Sequence, residues 1–176
     1  LTVGGDGRVV DVALHPAAPV GCECLEVYIL SKSLLLSMVE HCATHNIPSF
    51  GDGVLLPRVN RLHIAPYFFD GFAARPQSIS SYFQANAALL DPAVRRDLFQ
   101  PQRPIKTKDR SDPSTYYAPD ARAVNSLIAD GCVIEGTVEN SILFRGVKIG
   151  KGTTVKNSIL FQDTVTGENV FLNCVI

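Results

Sequence analysis

The sequence has no tryptophan, one methionine and four histidines in 176 residues, and neither sign of charge dominates: 16 Lys and Arg stand against 17 Asp and Glu. Nothing in that balance suggests electrostatic capture of nucleic acid or of an anionic membrane. Long apolar runs are missing as well. The stretch from Val27 to Leu36 is interrupted by Ser31, Lys32 and Ser33, and it falls short of the ~20 apolar residues that span a bilayer. The N-terminus lacks both an initiator Met and the basic-then-apolar pattern of a signal peptide. Cys22, Cys24, Cys42, Cys132 and Cys174 are odd in number and lie in apolar or repeat contexts. Reduced thiols in a cytoplasmic protein are expected in preference to a disulfide framework.

What the chain does have is a 46% hydrophobic share and frequent punctuation by 13 Gly and 11 Pro. Three zones follow from composition: residues 1–99, 100–119 and 120–176. In the first, the β-branched and aliphatic runs Arg8–Leu14 and Leu25–Leu30 are expected as strands. A helix is expected next, with Ser31 or Ser33 as N-cap and Leu34, Leu35, Met38, Val39, Cys42 and Ala43 on one face. Arg61–Phe69 reads as a further strand that Pro66 confines to an edge or a bend. A second helix starts after Ser78, and Asp91-Pro92 ends it and opens a third. Pro101, Pro104, Pro113 and Pro119 bracket a polar linker containing Lys106, Lys108, Asp109 and Arg110.

The last zone repeats. Asn125-Ser126-Leu127-Ile128 recurs as Asn140-Ser141-Ile142-Leu143, Asn157-Ser158-Ile159-Leu160 and Asn173-Cys174-Val175-Ile176. Short aliphatic pieces lie between the copies, at Cys132-Val133-Ile134, Val147-Lys148-Ile149 and Val170-Phe171-Leu172, and glycines recur beside them. This pattern suits coils of three short strands joined by tight turns, which must stack to bury their apolar side. The sequence stops inside a repeat, so a piece of a longer protein is expected.

Mixed α/β segment, proline-rich linker and hexapeptide repeats follow one another as in sugar-1-phosphate nucleotidyltransferases. Phe69-Asp70-Gly71-Phe72, then Ser78 through Leu90, resemble the F-E-G-Y-W-K-D-V-G-T-I-x-S-Y-x-x-A-N-x-x-L-L stretch of the bacterial glucose-1-phosphate adenylyltransferase (ADP-glucose pyrophosphorylase) family. Asp97-Leu98-Phe99, Arg103-Pro104-Ile105 and Asn140 through Val147 are similar to it too. The resemblance implies the C-terminal part of a Rossmann-like α/β nucleotidyltransferase domain followed by a left-handed parallel β-helix. It also implies that the matching region is the family's C-terminal half.

The departures carry functional meaning. Where the family's W-K-D-V-G-T Asp helps hold Mg²⁺, this chain has Arg75; a guanidinium is always charged, offers no lone pair and repels the cation. Where the family's E-K-P Lys binds the sugar phosphate, Leu14-His15-Pro16 stands instead, and the family's S-M-G-I-Y reads Cys24-Leu25-Glu26-Val27-Tyr28. The family's Gly-rich nucleotide loop is not represented, since Gly4-Gly5-Asp6-Gly7 reads as a turn between strands. These losses resemble the non-catalytic, regulatory D-type subunit of the family. That implies no cofactor in this chain, with Mg²⁺ held by a catalytic partner subunit. It also implies an oligomer formed through the β-helix and a role in ADP-glucose supply for glycogen. Two rivals are an active nucleotidyltransferase of altered sugar specificity and a purely structural assembly module.

Arg75, Arg95, Arg96 and Arg103 are candidates for an anion site serving a phosphorylated effector. His41, Cys42 and His45 have helical spacing that suggests a metal, but Cys42 occupies the place of the zinc-protease Glu and belongs to the apolar stripe. A solvated helix edge is expected, with no metal. His15, His41, His45 and His63 all precede the repeats, which argues against acyl transfer on the coils.

Overall fold

The computed structural model describes residues 1–13, 22–108 and 110–176, and the chain forms two compact units, Leu1–Asp70 and Gly71–Ile176. No helix among the described residues is long and apolar enough to cross a membrane.

In the first unit, β1 (Thr2–Val3) and β2 (Val9–Asp11) form an antiparallel pair. The Gly4–Gly7 segment is the expected turn: the Gly4 N–H donates to the Arg8 carbonyl at 2.8 Å, and Gly7 takes a φ of 77° that only glycine adopts without penalty. Helix α1 (Lys32–His45) starts at Ser31, whose Oγ accepts from the Leu34 N–H at 3.4 Å, and stops at Asn46 in the left-handed region. Of its expected apolar face only Met38 is buried. A single π-helical turn (Gly51–Leu55) runs into α2 (Leu56–Arg58). The sequence signal for this segment is weak because Gly51, Gly53 and Pro57 all lower helix propensity. Among the described residues of this unit the buried apolar side chains are Val9, Met38, Val54 and Val59.

Two expected strands are not formed. Leu25–Leu30 pairs with no strand among the described residues, and Val27 and Ile29 are 80% and 101% exposed. Strand propensity reflects a fit to a half-buried pleated surface, and without a neighbouring ladder the segment has only its local preference. Residues 61–69 meet β2 through one backbone bond, Val9 N–H to the Ile64 carbonyl at 2.9 Å. Pro66 then removes a donor, and no ladder follows.

In the second unit, α3 (Ile79–Ala88) and α4 (Pro92–Leu98) begin as expected. Ser78 and Ser81 form a reciprocal capping box, and the Asp91 carboxylate accepts from the Ala93 N–H at 2.7 Å. The repeats then wind into a parallel β-solenoid of about three turns. One face stacks β4 (Arg122–Val124), β7 (Thr137–Glu139), β10 (Thr154–Lys156) and β12 (Phe171–Asn173). The second stacks β5 (Leu127–Ile128), β8 (Ile142–Leu143) and β11 (Ile159–Leu160); the third stacks β3 (Tyr116–Tyr117), β6 (Val133–Ile134) and β9 (Lys148–Ile149). Inside lie Cys132, Ile134, Val138, Leu143, Val147, Ile149, Val155 and Leu160; a buried aliphatic side chain of this size contributes about 1.5–3 kcal/mol.

The Asn-Ser repeat has a physical cause. Asn125, Asn140 and Asn157 take φ of 43°, 47° and 47° at one corner, where asparagine is better tolerated than other side chains. The serines after them point inward. Ser141 Oγ donates to the Glu139 carbonyl of its own coil at 2.7 Å and accepts the Ser158 N–H of the next coil at 3.1 Å; Ser126 and Ser158 do the same. The fourth tetrapeptide is one residue out of this register. Lys156 pairs with Asn173, Cys174 takes the left-handed corner (φ 56°), and the Val175 N–H meets Ser158 Oγ at 3.3 Å. The likeness of Asn-Cys to Asn-Ser suggests a 16-residue step, whereas the backbone ladder sets it at 17, from Lys156 to Asn173.

Coil lengths differ at one corner only. Between Ile149 and Thr154 stand four residues, Gly150 to Thr153, where Ile134 and Thr137 are separated by Glu135 and Gly136 alone. A Cβ at Gly136 would collide with the Thr153 carbonyl oxygen of the next coil, as one at Gly150 would with the Gly167 carbonyl oxygen. At Gly167 a Cβ would meet only Val170 Cγ2 at 3.7 Å. Gly136→Ala is therefore expected to destabilise the solenoid by about 1–3 kcal/mol and Gly167→Ala to be near neutral, as read from paired thermal melts.

Candidate functional site

Leu14 and His15, expected from the resemblance to stand in place of the sugar-phosphate motif, lie outside the described residues. Cys24 is half-buried; its Sγ accepts from the Glu26 N–H at 3.4 Å and lies 3.8 Å from the Tyr28 hydroxyl. Glu26 holds a φ of 58°, uncommon for a residue with a Cβ. Just beyond, a cavity of about 430 Å³ is lined by Glu26, Tyr28, Leu30, Leu35, Ser49, Phe50 and Gly51, with the Tyr28 and Phe50 rings 5.5 Å apart. One carboxylate and two hydroxyls on an apolar wall can orient a small polar ligand. Among the described residues the cavity's lining holds no histidine, lysine or cysteine beside them.

Arg75 is exposed on the irregular run from residue 72 to 77 that leads into α3. Both ends of that run are fixed. The Phe72 N–H donates to Asp97 Oδ2 of α4 at 2.6 Å, and the Gln77 and Ser78 N–H groups donate to Ser81 Oγ at 2.9 and 2.8 Å. Asp97 was not singled out as functional by its sequence pattern, although Asp97-Leu98-Phe99 belongs to the resemblance; only the fold reveals it as the clamp on this run. A magnesium ion at position 75 does not fit, since the side chain offers neither a lone pair nor a negative charge.

The four arginines of the suggested anion site are not equivalent. Arg95 is partly buried and its Nη1 donates to the Leu89 and Leu90 carbonyls at 2.7 and 2.8 Å, closing the C-terminal end of α3. Those are carbonyls that a helix end leaves without partners. Arg103 donates from Nε to Gln100 Oε1 at 3.2 Å and from Nη2 to the Asp97 carbonyl at 3.4 Å. Arg96 is exposed on α4. Arg95→Ala is expected to cost about 1–3 kcal/mol, measured as a lower urea midpoint with the slope unchanged.

His41 and His45 face each other on α1 with ring centroids 4.2 Å apart, and His45 Nδ1 lies 3.0 Å from the His41 carbonyl. Among the described residues no group of three or more His, Cys, Asp or Glu side chains is arranged to hold a metal. Partial burial, with the nearby charges of Arg58 and His45, holds the His41 imidazole below its usual pKa. Because the fold favours neutral His41, the unfolded chain takes up the proton first as pH drops. Stability should therefore fall as pH descends through the ordinary histidine range, down to the lowered pKa. His41→Gln should flatten that part of the profile in denaturant titrations across pH.

Residues 115–176 match the family model described as GlmU-like, C-terminal hexapeptide. The chain is 38% identical over 134 residues to the glycogen biosynthesis protein GlgD of Bacillus subtilis (strain 168), covering 76% of this chain and 39% of that protein. It is 44% identical over 131 residues to GlgD of Geobacillus stearothermophilus, covering 74% and 38%. Glucose-1-phosphate adenylyltransferase of Geobacillus stearothermophilus is 35% identical over 154 residues, covering 85% and 40%. The chain is homologous to GlgD and to glucose-1-phosphate adenylyltransferases. It spans about two-fifths of the length of these curated relatives.

Proposed function

We propose that the protein carrying this chain is a regulatory, non-catalytic subunit acting with a catalytic glucose-1-phosphate adenylyltransferase, and that it supports ADP-glucose supply for glycogen. The observation that carries the reading is Arg75. A permanent cation occupies the position at which the family's metal-holding carboxylate is expected, on a run clamped at Phe72 and at Ser78. Supporting it, identity to the two GlgD proteins (38% and 44%) exceeds that to the adenylyltransferase (35%). In this reading the chain holds no Mg²⁺ of its own, the partner supplies the metal, and the complex works in the cytoplasm.

The coils provide the contact surface. Their parallel strands stack into flat outer faces, and such faces are natural places for subunit contact.

The test is to co-express the protein with a catalytic subunit and assay each alone and together with ATP, glucose 1-phosphate and Mg²⁺. The expected result is co-purification, background ADP-glucose formation by this protein alone, and altered kinetics of the partner in the complex. Robust turnover by this protein alone would favour an active enzyme of altered specificity. Stable binding with unchanged partner kinetics would leave a purely structural role.

A further inference from the structure

We propose that Asn125 is a site of spontaneous deamidation, and that the stacking of the solenoid directs the modification to it and away from Asn140 and Asn157. All three asparagines precede serine, sit at the same corner and share the left-handed conformation, with φ of 43°, 47° and 47°. Asn125 and Asn140 share one side-chain bond, Nδ2 of the first donating to Oδ1 of the second at 2.8 Å, and Asn157 Nδ2 donates to Asn173 Oδ1 at 3.0 Å. Sequence and corner therefore do not separate the three.

The nitrogen that must react does. Deamidation begins when the backbone nitrogen of the following residue loses its proton and attacks the side-chain carbonyl carbon. The new C–N bond closes a succinimide, and the C–N bond to the amide breaks to release ammonia. Water then opens the ring to aspartate or isoaspartate. At Ser141 and Ser158 the attacking N–H is bound to the hydroxyl of the preceding coil, at 3.2 and 3.1 Å, and the residues are 0% and 1% exposed. Ser126 belongs to the first coil. No acceptor for its N–H stands among the described residues, it is only half-buried, and Asn125 itself is exposed. Base and water reach this nitrogen, and no hydrogen bond must break before it attacks.

The product would act on the fold locally. Isoaspartate adds a methylene to the main chain between β4 and β5, at a corner held by the Asn140 N–H on the Val124 carbonyl (3.1 Å) and the Leu127 N–H on the Ser141 carbonyl (3.0 Å). Lengthening the backbone there puts the first coil out of step with the second.

The experiment is incubation of the intact protein in mildly alkaline buffer, followed by peptide mapping with isoaspartate detection at the three Asn-Ser sites, natively and in denaturant. Asn125 is expected to deamidate at least roughly tenfold faster than Asn140 or Asn157 in the native protein, and the three rates are expected to converge once unfolded. Equal native rates, or an earlier loss at Asn140 or Asn157, would overturn the proposal. So would a lead by Asn125 that persists in denaturant, because the preference would then belong to the flanking sequence. An Asn125→Gln variant, which removes the reactive side chain, should abolish the early product and leave the other two sites unchanged.

Discussion

A buried hydroxyl that both donates and accepts holds the solenoid together. Ser141 is fully buried, gives its proton to a carbonyl two residues back and receives the amide of the coil above. A backbone amide at an inward-turning corner would otherwise be stranded in an apolar interior at a cost of about 1–3 kcal/mol. The column from Ser126 to Ser158 removes that cost once per coil and ties each coil to its neighbour. The aliphatic interior can be dry because this polar strip is satisfied within itself.

The same logic explains why the repeats are legible in the sequence, while in the first 70 residues only the Gly4–Gly7 turn, β2 and the Ser31-capped α1 are. Left-handed corners favour asparagine or glycine, inward corners favour a small hydroxyl, and faces favour aliphatics, so each coil writes its geometry into a short recurring string. The misregister of the last copy shows the limit of that reading. Asn173-Cys174 imitates Asn157-Ser158, yet Asn173 pairs with Lys156, because a ladder of backbone bonds outranks side-chain likeness. Helices α3 and α4 were legible through their caps, Ser78 and Asp91, which act locally. The strands expected at Leu25–Leu30 and Arg61–Phe69 depended on neighbours that no local pattern specifies. The π-helical turn at Gly51–Leu55 carried glycines that point away from a helix; Gly53 is there because a Cβ would strike the Ile47 side chain.

The candidate site was legible as chemistry and not as geometry. Arg75 is informative by its charge alone, whereas the role of Asp97 in clamping its run depends on α4 lying beside Phe72. Arg95 resembled a ligand group in sequence and is, in the fold, the closure of a helix end. Guanidinium groups serve both purposes with the same donors, so only the position of nearby carbonyls distinguishes them.

The unequal corner at Glu135-Gly136 and Gly150–Thr153 shows that this solenoid can change its circumference without disturbing its faces. Two residues are gained in passing from one coil to the next, and the strands on either side stay in register. Length variation is thereby confined to an edge of the prism, leaving the flat sides aligned. A coil can thus take up or give up residues along that edge while the ladders on its faces keep their register.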